Sequence, residues 1–199
     1  MFENLLKKYG PILGLLANLA FVGAFLLVLW GSLTAQFLLH ELPCPLCVLQ
    51  RYSMLLVCLG PLFILVNQEK GELTHSKYMI GYGMTILTAL LGLVFSGRQI
   101  LLHIAPGDTG YGGSFLSLHF YTWSFVTFIV AITFCSAMML LVNYFYPACN
   151  TLNKLVSMGQ KLIFAVFLLT VFVIFVAIIA ELGFNFKLPD DPVHYELFR

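Results

Sequence analysis

Five apolar stretches, each long enough or nearly long enough to cross a bilayer, limit this chain to one broad architecture. A hydrocarbon core about 30 Å thick takes about 20 apolar residues of helix, and inside it every backbone N–H and C=O must be paired within the segment. The expected spans run over 11–39, 46–66, 78–96, 119–146 and 162–182. In the second, the uninterrupted apolar run covers only 52–66, so it reaches span length only by starting near Pro45. That extension draws Gln50 and Arg51 into or just under the membrane surface. With 60% hydrophobic residues and only 10% charged ones, the chain lies far outside soluble-domain composition. A net charge of +1 leaves no basic surface for nucleic-acid phosphates, and 19 Phe and 9 Tyr exclude a disordered chain. The reading is an all-α, polytopic membrane helical bundle forming one integral membrane domain over residues 1–199.

Orientation follows from the cations beside the spans. Lys7, Lys8, Lys70, Lys77, Lys154 and Lys161 fall on one side, and Arg51, Arg98, Lys187 and Arg199 on the other. Arg51 and Arg98 stand at helix ends, and Lys187 and Arg199 share a tail with Asp190, Asp191 and Glu196, which strengthens the bias. The N-terminus is therefore expected in the cytoplasm, after an uncleaved first span. Residues 40–51, 97–118 and 183–199 then face outward, with Ile100, Leu101 and Leu102 giving the long connection an apolar patch.

Within the first outward segment stands Cys44-Pro45-Leu46-Cys47, followed by Gln50-Arg51. Pro45 suits a first helical turn, and the unpaired N–H groups of a helix start favour a thiolate. Cys44 is expected at or near the cap, exposed to solvent and partners. Cys47 lies one turn in, and Arg51 falls on the same face about 6 Å deeper. A guanidinium at that depth is costly without a function; it could stabilise a Cys47 thiolate or bind a polar headgroup or quinone oxygen. A C-x-x-C pair outside the cytoplasm can persist as a disulfide. It could also be half of a metal site completed by His40, His103 or His119, although the second paired ligand set of a zinc site is missing. Val48 in place of His rules out covalent haem attachment.

The run Cys44-Pro-Leu-Cys47-Val-Leu-Gln50-Arg51 resembles the C-x-x-C-x-x-Q-R signature of the bacterial DsbB family, and Gly97-Arg98-Gln99 at the end of the third span resembles a second, weaker element of it. The resemblance implies a four-helix core, to which this chain adds a fifth transmembrane helix, in the bacterial inner membrane with the cysteine pair on the periplasmic side. It implies an enzyme that passes electrons from periplasmic protein thiols through a Cys44–Cys47 disulfide to a membrane quinone, ubiquinone or menaquinone, and so re-oxidises a DsbA-like thiol oxidase. Cys47 would be the quinone-facing sulfur, Cys44 the outward one, and Arg51 the group that polarises the quinone, with Gln50 beside it and Arg98 as a further contact. The alternatives are a metal- or haem-binding membrane protein and a non-catalytic assembly subunit.

Two departures stand out. The family usually carries a second cysteine pair between the third and fourth spans, and residues 97–118 contain none. Cys58, Cys135 and Cys149 do not replace it, since each is expected too far from Cys47 for a disulfide. The fifth span and its tail are the second departure. His40 and Glu41 read as interfacial polar residues, as does Glu181 near the outer end of the last span. His103 and His119 flank the glycine-containing connection and could bond a quinone oxygen. Trp30, Trp123, Tyr52 and Tyr121 read as anchors or packing, and Cys58 and Cys135 as small buried hydrophobes.

Overall fold

In a computed structural model of the chain, describing residues 2–108, 110–147, 154–183, 192 and 194–198, the apolar stretches are helices. They are α1 (Phe2–Leu38), α2 (Pro45–Glu69), α3 (His75–Leu102), α4 (Phe120–Leu140), a short α5 (Val142–Phe145) and α6 (Lys154–Leu182). Five of these have the length and apolarity to cross a membrane: Lys8–Leu38, Pro45–Glu69, His75–Leu102, Phe120–Leu140 and Val156–Leu182. The polytopic helical bundle expected from hydropathy is thus the observed class. Cys149, Lys187, Asp190, Asp191 and Arg199 lie outside the described residues.

The boundaries differ in two places. Helix α3 continues to Leu102, beyond the expected end at 96, so Ile100, Leu101 and Leu102 are its last turn and not part of a loop. The fourth span stops at Leu140, six residues early, because Leu141 leaves helical geometry and the chain turns into α5. This bend lays backbone directly on α1. A Cβ on Gly10 or Gly14 would collide with the carbonyl oxygen of Tyr144 or Phe145. A continuous helix to 146 would not make that approach.

Helix α2 is the centre of the bundle and packs against α3, α1, α6 and α4. Its contact with α3 is close because Gly60 meets Gly81: a Cβ on Gly60 would strike the Gly81 carbonyl and the Thr85 hydroxyl. The Thr85 hydroxyl donates across the interface to the Val57 carbonyl at 3.2 Å. Small residues and a crossing hydrogen bond are what helix pairs use where lipid supplies no hydrophobic drive. Helix α4 packs on α3, with Phe128 seated over Gly92. Helix α6 packs on α1 and α2, joined through Trp30 Nε1 to Thr170 Oγ1 (3.0 Å) and Gln160 Nε2 to Gln68 Oε1 (3.0 Å). Trp30 is thereby a helix–helix tie as well as a half-exposed ring.

Between α3 and α4 a two-stranded ribbon, β1 (Ser114–Phe115) and β2 (Leu118–His119), turns through Leu116 and Ser117, both at positive φ. Around the turn Phe115, Leu116 and Leu118 are exposed apolar side chains. The Gly60→Ala substitution forces α2 and α3 apart and should lower stability by about 1–3 kcal/mol. The check is the thermal midpoint of the detergent-solubilised protein, with Gly83→Ala, which meets nothing within 4 Å, as the control that should not move it.

Candidate functional site

Helix α2 begins at the cysteine motif itself. Cys44 is its N-cap, with extended backbone and a sulfur that accepts the Cys47 N–H at 3.3 Å, and Pro45 opens the first turn. The sulfurs of Cys44 and Cys47 stand 2.9 Å apart, with the Cys44 thiol donating to Cys47. Cys44 is not exposed as expected: only 7% of it is accessible. Its thiol is pushed well above the usual cysteine range, first by the hydrogen bond it donates to Cys47 and then by burial.

Cys47 opens into a cavity of about 530 Å³. Its walls come from α1 (Gly31, Ser32), α2 (Cys47, Gln50, Arg51) and α4 (Phe120, Trp123, Thr127), and its roof from Leu42, Pro43, Tyr111 and Phe115. The roof is tied down at two points: the Tyr111 hydroxyl donates to the Leu42 carbonyl at 2.7 Å, and Gly113 N–H donates to Glu41 Oε2 at 3.2 Å. Trp123 Nε1 holds the ribbon from below through the Phe115 carbonyl at 2.9 Å.

Arg51 is 7% exposed and lies on the same wall as Cys47. Its guanidinium donates to Gln36 Oε1 at 2.5 Å and to the Ser32 carbonyl at 3.0 Å, both on α1. These neutral acceptors satisfy part of its hydrogen bonding, and among the described residues no carboxylate pairs with it. Gln50 Nε2 donates to Gln99 Oε1 at 2.6 Å, and Gln99 Nε2 lies 3.3 Å from Cys44 Sγ and 3.4 Å from Cys47 Sγ.

The structure thus brings Cys44, Cys47, Gln50 and Arg51 together. Arg98 is elsewhere: it is exposed on α3 and does not line the cavity, because its neighbour Gln99 takes the inward position. Sequence reasoning passed over Gln36, named Gln99 only within the Gly97-Arg98-Gln99 element, and gave Glu181 no part in the site. A polar residue inside an apolar span was the available signal for Gln36 and Glu181. Glu181, near the outer end of the last span, is 1% exposed, with no hydrogen bond to either carboxylate oxygen among the described residues, in the electrostatic reach of Arg51. His103 and His119 both stack on Tyr121, at ring separations of 5.7 and 5.2 Å, and neither lines the cavity. His103 also pairs with Asp108 at 3.1 Å; that carboxyl is held below the usual range by the Gly110 N–H and then by His103. Among the described residues no three His, Cys, Asp or Glu side chains converge as a metal site would require.

A family model described as Disulfide bond formation protein DsbB matches residues 15–112, from within α1 to the loop after α3. The chain is similar to Disulfide bond formation protein B of Chromobacterium violaceum, 38% identical over 96 residues, which is 46% of this chain and 55% of that one. It is similar to the protein of the same name from Polaromonas naphthalenivorans, 32% identical over 114 residues, or 57% and 62% of the two chains. Disulfide bond formation protein B 1 of Pseudomonas syringae pv. syringae is 29% identical over 103 residues, 52% of this chain and 53% of that one. The chain spans about half the length of the curated relatives it matches. No solved structure matches.

Leu42 lies two residues before Cys44, so its tie to Tyr111 restrains the connection that carries the buried sulfur. Tyr111→Phe should raise the rate at which Cys44 reacts with a small maleimide several-fold without changing the thermal midpoint. Peptide-resolved labelling measures it, and an unchanged rate would remove the roof's role in covering Cys44.

Proposed function

We propose, from the premise that the chain belongs to the DsbB family of disulfide bond formation proteins, that it oxidises protein thiols outside the cytoplasm and delivers the electrons to a lipid-soluble quinone. The observation that carries this reading is the shared wall: Cys47 and Arg51 open into one cavity, a redox sulfur beside a buried cation. At about 530 Å³, with aromatic walls and a few convergent polar groups, the cavity has the size and character of small-molecule sites. Arg51 and Gln50 would hold a quinone there, Arg51 as donor and positive charge toward a carbonyl oxygen. The bound quinone supplies a two-electron, two-proton acceptor.

The chain's own residues account for the other half of the reaction. In the oxidised form, a thiolate of a DsbA-like partner attacks Cys44 Sγ, the Cys44–Cys47 bond breaks, and its electron pair leaves on Cys47. A second partner thiol attacks the mixed disulfide, so the partner leaves oxidised and Cys44 and Cys47 are left reduced. Loss of two electrons and two protons from that dithiol restores the disulfide. Cys44 is the sulfur for the partner because Cys47 is the one that lines the cavity. Its burial requires the 39–44 segment or the roof to move on docking. The reaction has to run with one cysteine pair, since residues 97–118 contain no cysteine.

This reading carries a location in the bacterial inner membrane, the N-terminus cytoplasmic and the cysteine pair on the periplasmic side. It is preferred to a metal-binding role because no histidine joins the two sulfurs in a three-donor cluster among the described residues.

Cys47→Ala should abolish thiol-dependent quinone reduction by the purified protein, whereas Cys58→Ala, buried with no contact to the pair, should reduce it little. Retained quinone reduction in Cys47→Ala would defeat the mechanism. Arg51→Ala should weaken apparent quinone affinity about tenfold or more while leaving a correctly inserted protein, the loss expected for a charge-assisted hydrogen bond. Unchanged quinone kinetics would remove Arg51 from the site.

A further inference from the structure

Gln99 reaches the cysteine pair from a different helix, and its position is unusual in being shared. Its amide nitrogen lies 3.3 Å from one sulfur and 3.4 Å from the other. An amide NH₂ carries two hydrogens, so each sulfur can receive one. The side chain is 1% exposed, so the amide is held against the sulfurs inside the bundle. Its orientation is set from behind: Gln50 Nε2 donates to Gln99 Oε1 at 2.6 Å, which turns the Gln99 nitrogen toward the sulfurs. The same Oε1 stands 3.7 Å from Cys47 Sγ and can accept its S–H while that sulfur is protonated.

We propose that Gln99 is a catalytic residue of the thiol–disulfide exchange, a fixed two-hydrogen donor that stabilises a thiolate on either Cys44 or Cys47, and that Gln50 is the residue that positions it. The inference rests on the oxidoreductase reading above and adds a group in contact with the reacting atoms. When a partner thiolate bonds to Cys44 and the S–S bond breaks, the departing electron pair comes to rest on Cys47 beneath one N–H. When the second partner thiol displaces Cys44, the pair that leaves on Cys44 meets the other N–H. Negative charge thus changes sulfur without entering unsolvated space, as preorganised donors do for oxyanions. Both electrons then go to the quinone, and the disulfide returns. Arg51, on the same cavity wall as Cys47, provides a diffuse positive field; Gln99 provides direct contact.

The test uses the full chain, reduced, quinone-free and in detergent, in four forms: unaltered, Gln99→Leu, Gln99→Glu and Gln50→Leu. Two quantities are read: the rate of Cys47 alkylation by iodoacetamide at one neutral pH, resolved by peptide mass spectrometry, and the equilibrium of the Cys44–Cys47 pair against glutathione. Gln99→Leu should slow alkylation about tenfold or more and move the equilibrium toward the disulfide by a similar factor, since the reduced form loses its stabilising contact. Gln99→Glu keeps the shape and the Gln50 contact but turns an oxygen to the sulfurs, and should slow alkylation further. Gln50→Leu should fall between the unaltered protein and Gln99→Leu. Should Gln99→Leu fail to fold, Gln99→Glu and Gln50→Leu decide the question. Variants that react and equilibrate like the unaltered chain, or that lose only thermal stability, overturn the proposal. If the unaltered chain itself forms no Cys44–Cys47 disulfide at any glutathione ratio, the oxidoreductase reading fails instead.

Discussion

A guanidinium that is 7% exposed inside a membrane bundle has to be solvated by the protein, and the arrangement around the cavity follows from how that is done. Arg51 on α2 takes its acceptors from α1, the Gln36 side chain and the Ser32 carbonyl. Those bonds fix the spacing of α1 and α2 at the end of the bundle that carries the cysteines. Since Cys47 is one turn from Arg51 on the same face, holding the cation also sets the direction in which the sulfur opens. Moving Arg51 would leave both the cavity wall and the α1–α2 contact unfinished.

The cysteine pair is held by a second polar assembly of a different kind. Helix α2 offers Cys44 as its own N-cap, so one sulfur is tied to the helix start before any long-range contact forms. Helix α3 then supplies Gln99, and its approach depends on the Gly60–Gly81 contact several turns away, which sets how near α2 and α3 run. Packing at the middle of the bundle and chemistry at its end are therefore linked through helix separation. The loop around Tyr111, Gly113 and Phe115 closes the arrangement, pinned to Glu41 and Leu42 on one side and to Trp123 on the other.

The family match ends at residue 112, and α4, α5 and α6 lie beyond it. Of these, α4 supplies the aromatic wall of the cavity. Helix α6 brings Glu181 near Arg51 without hydrogen-bonding it, an acidic neighbour that a four-span bundle would not contain. The bundle keeps one cysteine pair at the site, and Cys58 and Cys135 are buried within the helices as ordinary packing.

Hydropathy alone determined the number of spans, because the bilayer's thickness and lack of water leave a long apolar segment no alternative to helix. Local chemistry determined the start of α2: Pro45 suits a first turn, and the cysteine before it caps that turn, which also places Arg51 one turn below Cys47 on the same face. Other features needed the tertiary structure. Arg98 and Gln99 are neighbours in sequence, and only the rotation of α3 against α2 turned Gln99 to the sulfurs and left Arg98 exposed. Burial of Cys44 and Glu181 was likewise decided by distant segments that cover them, and the early end of α4 by the backbone contact of α5 with α1. Periodicity and turn chemistry act over a few residues and are legible in order along the chain, whereas the facing of one helix by another depends on side chains far apart in sequence.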